Sequence, residues 1–206
     1  MSASMNKRQA LRTLAWAGLA AAGGLQLAGC SEAKPSFQAV DITGADYARD
    51  FALADADGKV RTLADFKGKA VVLFFGYAQC PDVCPTTMSE MAQVKQQLGA
   101  DGERLQVLFV TVDPARDTPE VMKAYMGAFD PSFIALIPTP EQLAALAKDF
   151  KVYFKKVDGK TPTSYSMDHS AASFVYDPQG RLRLYARYGA GAAPMVADLR
   201  TLLKSS

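Results

Sequence analysis

The chain has 206 residues, of which 49% are hydrophobic and 21% charged. That is enough to bury one substantial core, and the composition is too ordinary for a fibrous or disordered protein. The formal charge is +2, yet residues 1–29 hold three of the 23 basic residues and none of the 21 acidic ones, so the remainder carries 20 against 21, or −1. A basic surface for nucleic acid is therefore not expected.

The first thirty residues read as an address. Lys7, Arg8 and Arg12 form a positive start, and "LAWAGLAAAGGLQLAG" (14–29) is an apolar stretch interrupted by Gln26 and short for a membrane span. Residues 1–29 are thus expected to be a secretory signal. "LAGC" (27–30) resembles the lipobox of bacterial lipoproteins, whose cysteine, here Cys30, is lipidated and becomes the new N-terminus. Cleavage would also remove Trp16, the only tryptophan. Residues 30–47 then serve as a lipidated N-terminus and polar tether, and 48–206 form one domain. Export places Cys80 and Cys84 outside the reducing cytosol.

Along the domain, "FALADADGKVRTLADFKGK" (51–69) predicts a short hairpin turning at Asp57-Gly58. "AVVLFFGY" (70–77) and "RLQVLFVTV" (104–112) are continuous apolar runs, as in strands buried on both faces. A helix is expected over 85–98, another over 118–128 with Thr118 as N-cap and Pro119 at its first position, and a third over 139–149. Residues 133–138 predict a short strand and 152–157 a weaker one. Residues 172–187 read as a hairpin around Asp177-Pro178-Gln179-Gly180, and 193–204 as a closing helix. This order indicates an α/β sandwich, matching a thioredoxin-like fold with an N-terminal β-hairpin extension and an insertion.

The chemistry concentrates in "FFGYAQCPDVCPTTM" (74–88), where two cysteines stand four apart at the carboxyl end of a central strand. Because proline suits a first helical position, the helix is expected to begin at Pro85, with Cys84 as its cap and 80–84 as a tight loop. The helix dipole there favours a thiolate, and Asp82 opposes it. A disulfide closing so small a loop adds only roughly 2 kcal/mol in the chain-entropy model, which a domain of this size does not need. Dithiol–disulfide exchange and metal binding remain open. The single histidine, His169, precedes the strand that starts near Ala171. In a thioredoxin-like sheet that loop passes beside the cysteine loop, so Cys80, Cys84 and His169 are expected to converge. Two sulfurs and an imidazole suit copper or zinc, not calcium or magnesium. Three ligands leave a position open for exchange.

"GYAQCPDVCPTTM" (76–88), "TVDPARDTPEVMKAY" (111–125) and "MDHSAASFVYDPQG" (167–180) closely resemble the Sco/SenC family, in order, over roughly residues 45–205. The resemblance implies a membrane-anchored copper chaperone with copper held by Cys80, Cys84 and His169. It implies Cu(I) or Cu(II) as cargo, a periplasmic copper donor, and delivery to the copper-bearing subunit of cytochrome c oxidase or another acceptor. The rival readings are a thiol–disulfide oxidoreductase that reduces the acceptor's cysteines, and a redox or copper sensor. The expected location is the bacterial cell envelope, facing the periplasm on a lipid anchor. Where many members carry Thr-His before the first motif cysteine, this chain has Ala78-Gln79. Where thioredoxin-like oxidoreductases place a cis-proline, it has Asp168-His169-Ser170. Asp168 is a further expectation, as a group orienting His169 or adjusting the site's charge. Met88, Met91 and Met167 are expected to fill the core. Asp113, Arg116 and Asp117 are expected to form a salt-linked turn before the helix at 118, and Tyr77 to pack beside the cysteine loop.

Overall fold

The computed structural model describes residues 35–161 and 164–204. The expected signal over 1–29 and the lipidation site Cys30 lie outside the described residues. Among those that are described, no helix is long and apolar enough to cross a membrane.

The two apolar runs become the centre of a six-stranded sheet. Strands β4 (Ala70–Gly76) and β5 (Leu105–Thr111) are buried at every position and pair in parallel. Each lacks alternation because both faces of the sheet are covered. On one side β5 pairs in parallel with β6 (Ile134–Leu136). On the other, β4 pairs antiparallel with β9 (Ala172–Tyr176), and β9 with β10 (Leu182–Arg187). The β9–β10 turn follows its sequence signal: the Gly180 N–H donates to the Asp177 carbonyl at 2.8 Å, with Gly180 at φ 77°, a conformation open to glycine at little cost. A short edge strand, β1 (Val40–Asp41), completes the order β1-β10-β9-β4-β5-β6.

Helix α1 (Val83–Leu98) follows β4, α2 (Pro119–Gly127) follows β5, α3 (Pro140–Phe150) follows β6, and α4 (Ala192–Lys204) closes the chain. Helices α1 and α4 pack against each other. Thr118 and Thr139 cap α2 and α3 through their side chains, each with proline at the first helical position, as the sequence predicts. The run β4–α1–β5–α2, then β9–β10–α4, is the expected thioredoxin-like pattern, with β6, α3 and a hairpin inserted between α2 and β9. The expected N-terminal hairpin is present as β2 (Leu53–Ala54) and β3 (Val60–Arg61), a separate two-stranded sheet.

Three local expectations are corrected. Helix α1 begins at Val83, with Asp82 as its cap, so Cys84 is the second helical residue and not the cap. Pro85 sits third, still inside the first turn, where no backbone N–H has an intrahelical partner to lose. Residues 36–47 are not a free tether. Val40–Asp41 pairs with Tyr185 and Leu184, and the Gln38 and Ala39 N–H groups each donate to the Asp198 carboxylate at 2.8 Å. Finally, the expected loop before β9 contains a strand. Strand β8 (Tyr165–His169) pairs antiparallel with β7 (Phe154–Asp158) as a second separate hairpin. Its signal is the alternation of Tyr165, Met167 and His169 with polar residues, the pattern of a half-covered strand.

Candidate metal centre

The two cysteines and the histidine arrive from different elements of the fold. Cys80 lies in the loop after β4, Cys84 in the first turn of α1, and His169 at the end of β8. Their ligand atoms all lie within 4.8 Å of one another. Among the described residues, this is the group of cysteine, histidine and acidic side chains that can hold a metal ion. Cys84 Sγ is 3.4 Å from His169 Nε2, and the Cys84 N–H donates to Cys80 Sγ at 3.4 Å. Both thiols are free; Cys84 is buried and Cys80 partly exposed. The expected convergence is therefore present, with one sulfur at the surface and one beneath it.

Gly76 makes the deeper position possible. A Cβ there would lie 2.7 Å from Cys84 Sγ and from Phe109 Cζ, and 2.9 Å from Phe74 Cε1. The strand ends on the residue that leaves room for the sulfur. The imidazole is walled by rings, edge-on to Phe74 at 6.0 Å and to Tyr77 at 5.9 Å between centroids. Tyr77 thus packs at the site itself.

Burial favours the neutral forms of Cys84 and His169. Burial pushes the Cys84 thiol well above the ordinary cysteine range, against a weaker hydrogen bond from the Tyr77 backbone. The neighbouring Cys80 and Asp117 push the Cys84 thiol in the same direction as burial. Burial also lowers the His169 pKa, partly offset by the Ser170 backbone and by Asp168. His169 Nδ1 lies 3.0 Å from the Ser170 carbonyl oxygen. A carbonyl only accepts, so Nδ1 carries the proton and Nε2 offers its lone pair toward Cys84. Asp168 is exposed, opposite Lys155 in the hairpin; the contact orienting the ring is with Ser170. Two sulfurs and a neutral imidazole form a donor set for a soft or borderline ion such as Cu(I), Cu(II) or Zn(II).

The turn at 111–117 does more than feed a helix. Asp117, 1% exposed, accepts the Ala78 N–H at 3.2 Å and the Thr111 hydroxyl, so it holds the start of the cysteine loop. Burial raises its carboxyl pKa, with those two hydrogen bonds opposing. Arg116 pairs with Asp113 and donates to Gln79 Oε1 at 3.1 Å. The salt-linked turn is as expected; its grip on the cysteine loop is not legible in the sequence, since the turn lies over thirty residues away along the chain. Met88, Met91 and Met167 are buried in the hydrophobic core, as expected of fillers.

Comparison with known proteins agrees with this geometry. A family model described as SCO1/SenC matches residues 40–204. The cattle protein "Protein SCO2 homolog, mitochondrial" (Bos taurus) is 36% identical over 153 residues, covering 73% of this chain and 58% of its own length. A "SCO2-like protein" from Rickettsia felis is 34% identical over 133 residues, covering 64% of this chain and 65% of its own length. The chain thus spans under two thirds of either curated relative. The solved structure of Bradyrhizobium japonicum ScoI with copper bound is 38% identical, with a TM-score of 0.68, and the match covers 74% of this chain and 97% of that one. Three remote donors meeting at the cysteine loop of a thioredoxin-like sheet, and a family match running from β1 to the last helix, lead to one conclusion: the chain belongs to the SCO1/SenC family.

Proposed function

We propose that this protein is a copper carrier that binds its cargo through Cys80, Cys84 and His169 and delivers it to the binuclear copper centre of cytochrome c oxidase. The observation that carries the reading is the meeting of two thiols and one imidazole within 4.8 Å, in a family whose Bradyrhizobium member has been solved with copper bound. The donor set suits the ion: thiolates select Cu(I), and an imidazole extends the site to Cu(II). Uptake of the ion releases the thiol protons, and His169 Nε2, aimed at Cys84, is placed to share the metal. The partly exposed Cys80 is the side from which an acceptor's own thiols and imidazoles can enter, so ligands exchange stepwise. Oxidation of the metal-free dithiol to a disulfide by another protein's disulfide, which takes up the two electrons and two protons as a dithiol, removes both sulfur donors and closes the site. In this reading the carrier works in the bacterial envelope, anchored through lipid on Cys30, between a periplasmic copper donor and its acceptor.

A second reading, thiol–disulfide exchange on the acceptor's cysteines, draws on the asymmetry of the pair: an accessible sulfur able to attack and a buried one able to resolve. Copper titration of the reduced protein separates the two. The carrier should bind one equivalent with sulfur-to-copper charge-transfer absorption. His169→Ala should weaken Cu(II) binding by about 100-fold or more while Cu(I), held by two sulfurs, changes only a few-fold. Loss of a ligand costs more than the 10–100-fold that loss of an outer-shell partner does. Unchanged Cu(II) affinity and spectrum in His169→Ala would overturn the assignment, and persisting disulfide reduction would leave the exchange reading standing.

A further inference from the structure

The cysteines are built into the body of the domain, but His169 is carried on a hairpin that is not part of the main sheet. Strand β7 is exposed along most of its length, and β8 buries Met167 alone. Some contact must therefore fix where the imidazole sits relative to the sulfurs. Away from the ligands, the hydrogen bonds from the hairpin to the body fall on one turn and on Tyr77, whose phenol oxygen accepts from the Met167 backbone N–H. Arg116 Nη1 donates to the Tyr165 backbone carbonyl at 2.9 Å, and the Tyr165 hydroxyl donates to Asp113 Oδ1 at 2.9 Å. The same guanidinium lies 3.5 Å over the Tyr165 ring and 5.8 Å from the Tyr77 ring centroid, which in turn borders His169. Its Nη1 also reaches Gln79, the residue before Cys80. One planar side chain thus touches the hairpin, the cysteine loop and the aromatic wall between them.

We infer that Arg116 is a positioning residue for the metal centre: it clamps the β7–β8 hairpin to the cysteine loop and so sets the place of His169 against Cys80 and Cys84. The chemistry requires arginine. A lysine can satisfy Asp113, but it has neither the fork that reaches two further acceptors nor the plane that lies on Tyr165. Arg116 Nη2 is buried with no hydrogen-bond partner. A simple ion pair to Asp113 would not need to bury that donor, whereas a side chain spread flat between three elements does. The consequence for copper rests on the carrier reading above; the consequence for the histidine does not.

The test uses the reduced protein in detergent micelles, with parent, Arg116→Lys, Tyr165→Ala and His169→Ala measured side by side. Because the chain has one histidine, its ring signals are unambiguous by NMR. In the metal-free parent the ring should show proximity to the Phe74 and Tyr77 rings. In Arg116→Lys those contacts should weaken or broaden. With copper added, Arg116→Lys should lose about 10–100-fold in Cu(II) affinity with an altered charge-transfer spectrum, and Cu(I) affinity should change less than about threefold. A merely structural arginine would lower the melting temperature without moving the ring contacts or the spectrum, and that result overturns the inference. If Arg116→Lys does not fold, Tyr165→Ala, which removes both the ring under the guanidinium and the hydroxyl bonded to Asp113, decides: weaker ring contacts support the clamp, and unchanged contacts overturn it. A parent that binds no copper while Arg116→Lys still displaces the ring would sink the carrier reading and leave the clamp intact.

Discussion

The two sides of the candidate metal centre are built differently. The cysteine side stands on β4, buried at all seven positions, and on the first turn of α1, with Phe74, Phe109 and Gly76 closed around Cys84. The histidine side stands on a two-stranded hairpin with a mostly exposed outer strand, held by polar and cation–π contacts through Arg116 and Tyr165. Core packing fixes an atom by excluding every alternative place for it, whereas surface hydrogen bonds fix it by a few exchangeable contacts. In the proposed carrier, that division would keep the sulfurs in place while the imidazole is withdrawn.

Substitution and pH should affect the two sides to different degrees. The largest effect is expected in the body. Phe75, 1% exposed and edge-on to Phe150 at 5.3 Å and Phe174 at 6.2 Å, should cost about 3–5 kcal/mol as Phe75→Ala, read as a lowered urea midpoint with unchanged slope. A loss under about 1 kcal/mol would mean the body is not the rigid side. Gly76→Ala should cost about 1–3 kcal/mol by overpacking and should perturb Cys84 directly, seen as slower thiol labelling or an altered copper spectrum.

A pH effect of intermediate size follows from Tyr176, whose hydroxyl donates to the Ala48 carbonyl at 2.8 Å. Burial holds this phenol far above its ordinary value. Its contribution to stability is therefore complete below about pH 10, where the unfolded phenol titrates, and falls by about 1.4 kcal/mol per pH unit above it. Unfolding midpoints measured from pH 8 to 11 should fall above pH 10, and Tyr176→Phe should flatten that fall. The smallest effect belongs to the hairpin. Val157→Ala, at a position 38% exposed, should shift stability by no more than about 0.5 kcal/mol. A larger loss there would erase the contrast between the two sides.

Much of the fold was legible because its signals are local. The apolar runs at 70–77 and 104–112, the Thr-Pro starts at 118 and 139, and the Asp177–Gly180 turn each declare themselves within a few residues. The start of α1 misled, because a proline is tolerated throughout a first turn and does not mark its beginning. Strand β8 escaped because a five-residue alternation flanked by turn residues resembles a loop until a partner strand is known. Edge strand β1 escaped for the same reason: two residues acquire meaning only from β10 and from the Asp198 carboxylate.

From the residues alone came the candidate donors, Cys80, Cys84 and His169, since only certain side chains can grip a soft ion and this chain has few of them to offer. The tertiary structure decided which sulfur is buried, which imidazole nitrogen carries the proton, and that Arg116 and Asp117, in the turn after the neighbouring strand β5, brace the loop. Donor chemistry is a property of single residues. Burial, protonation and support depend on what surrounds them, and those surroundings come from chain segments far apart in sequence.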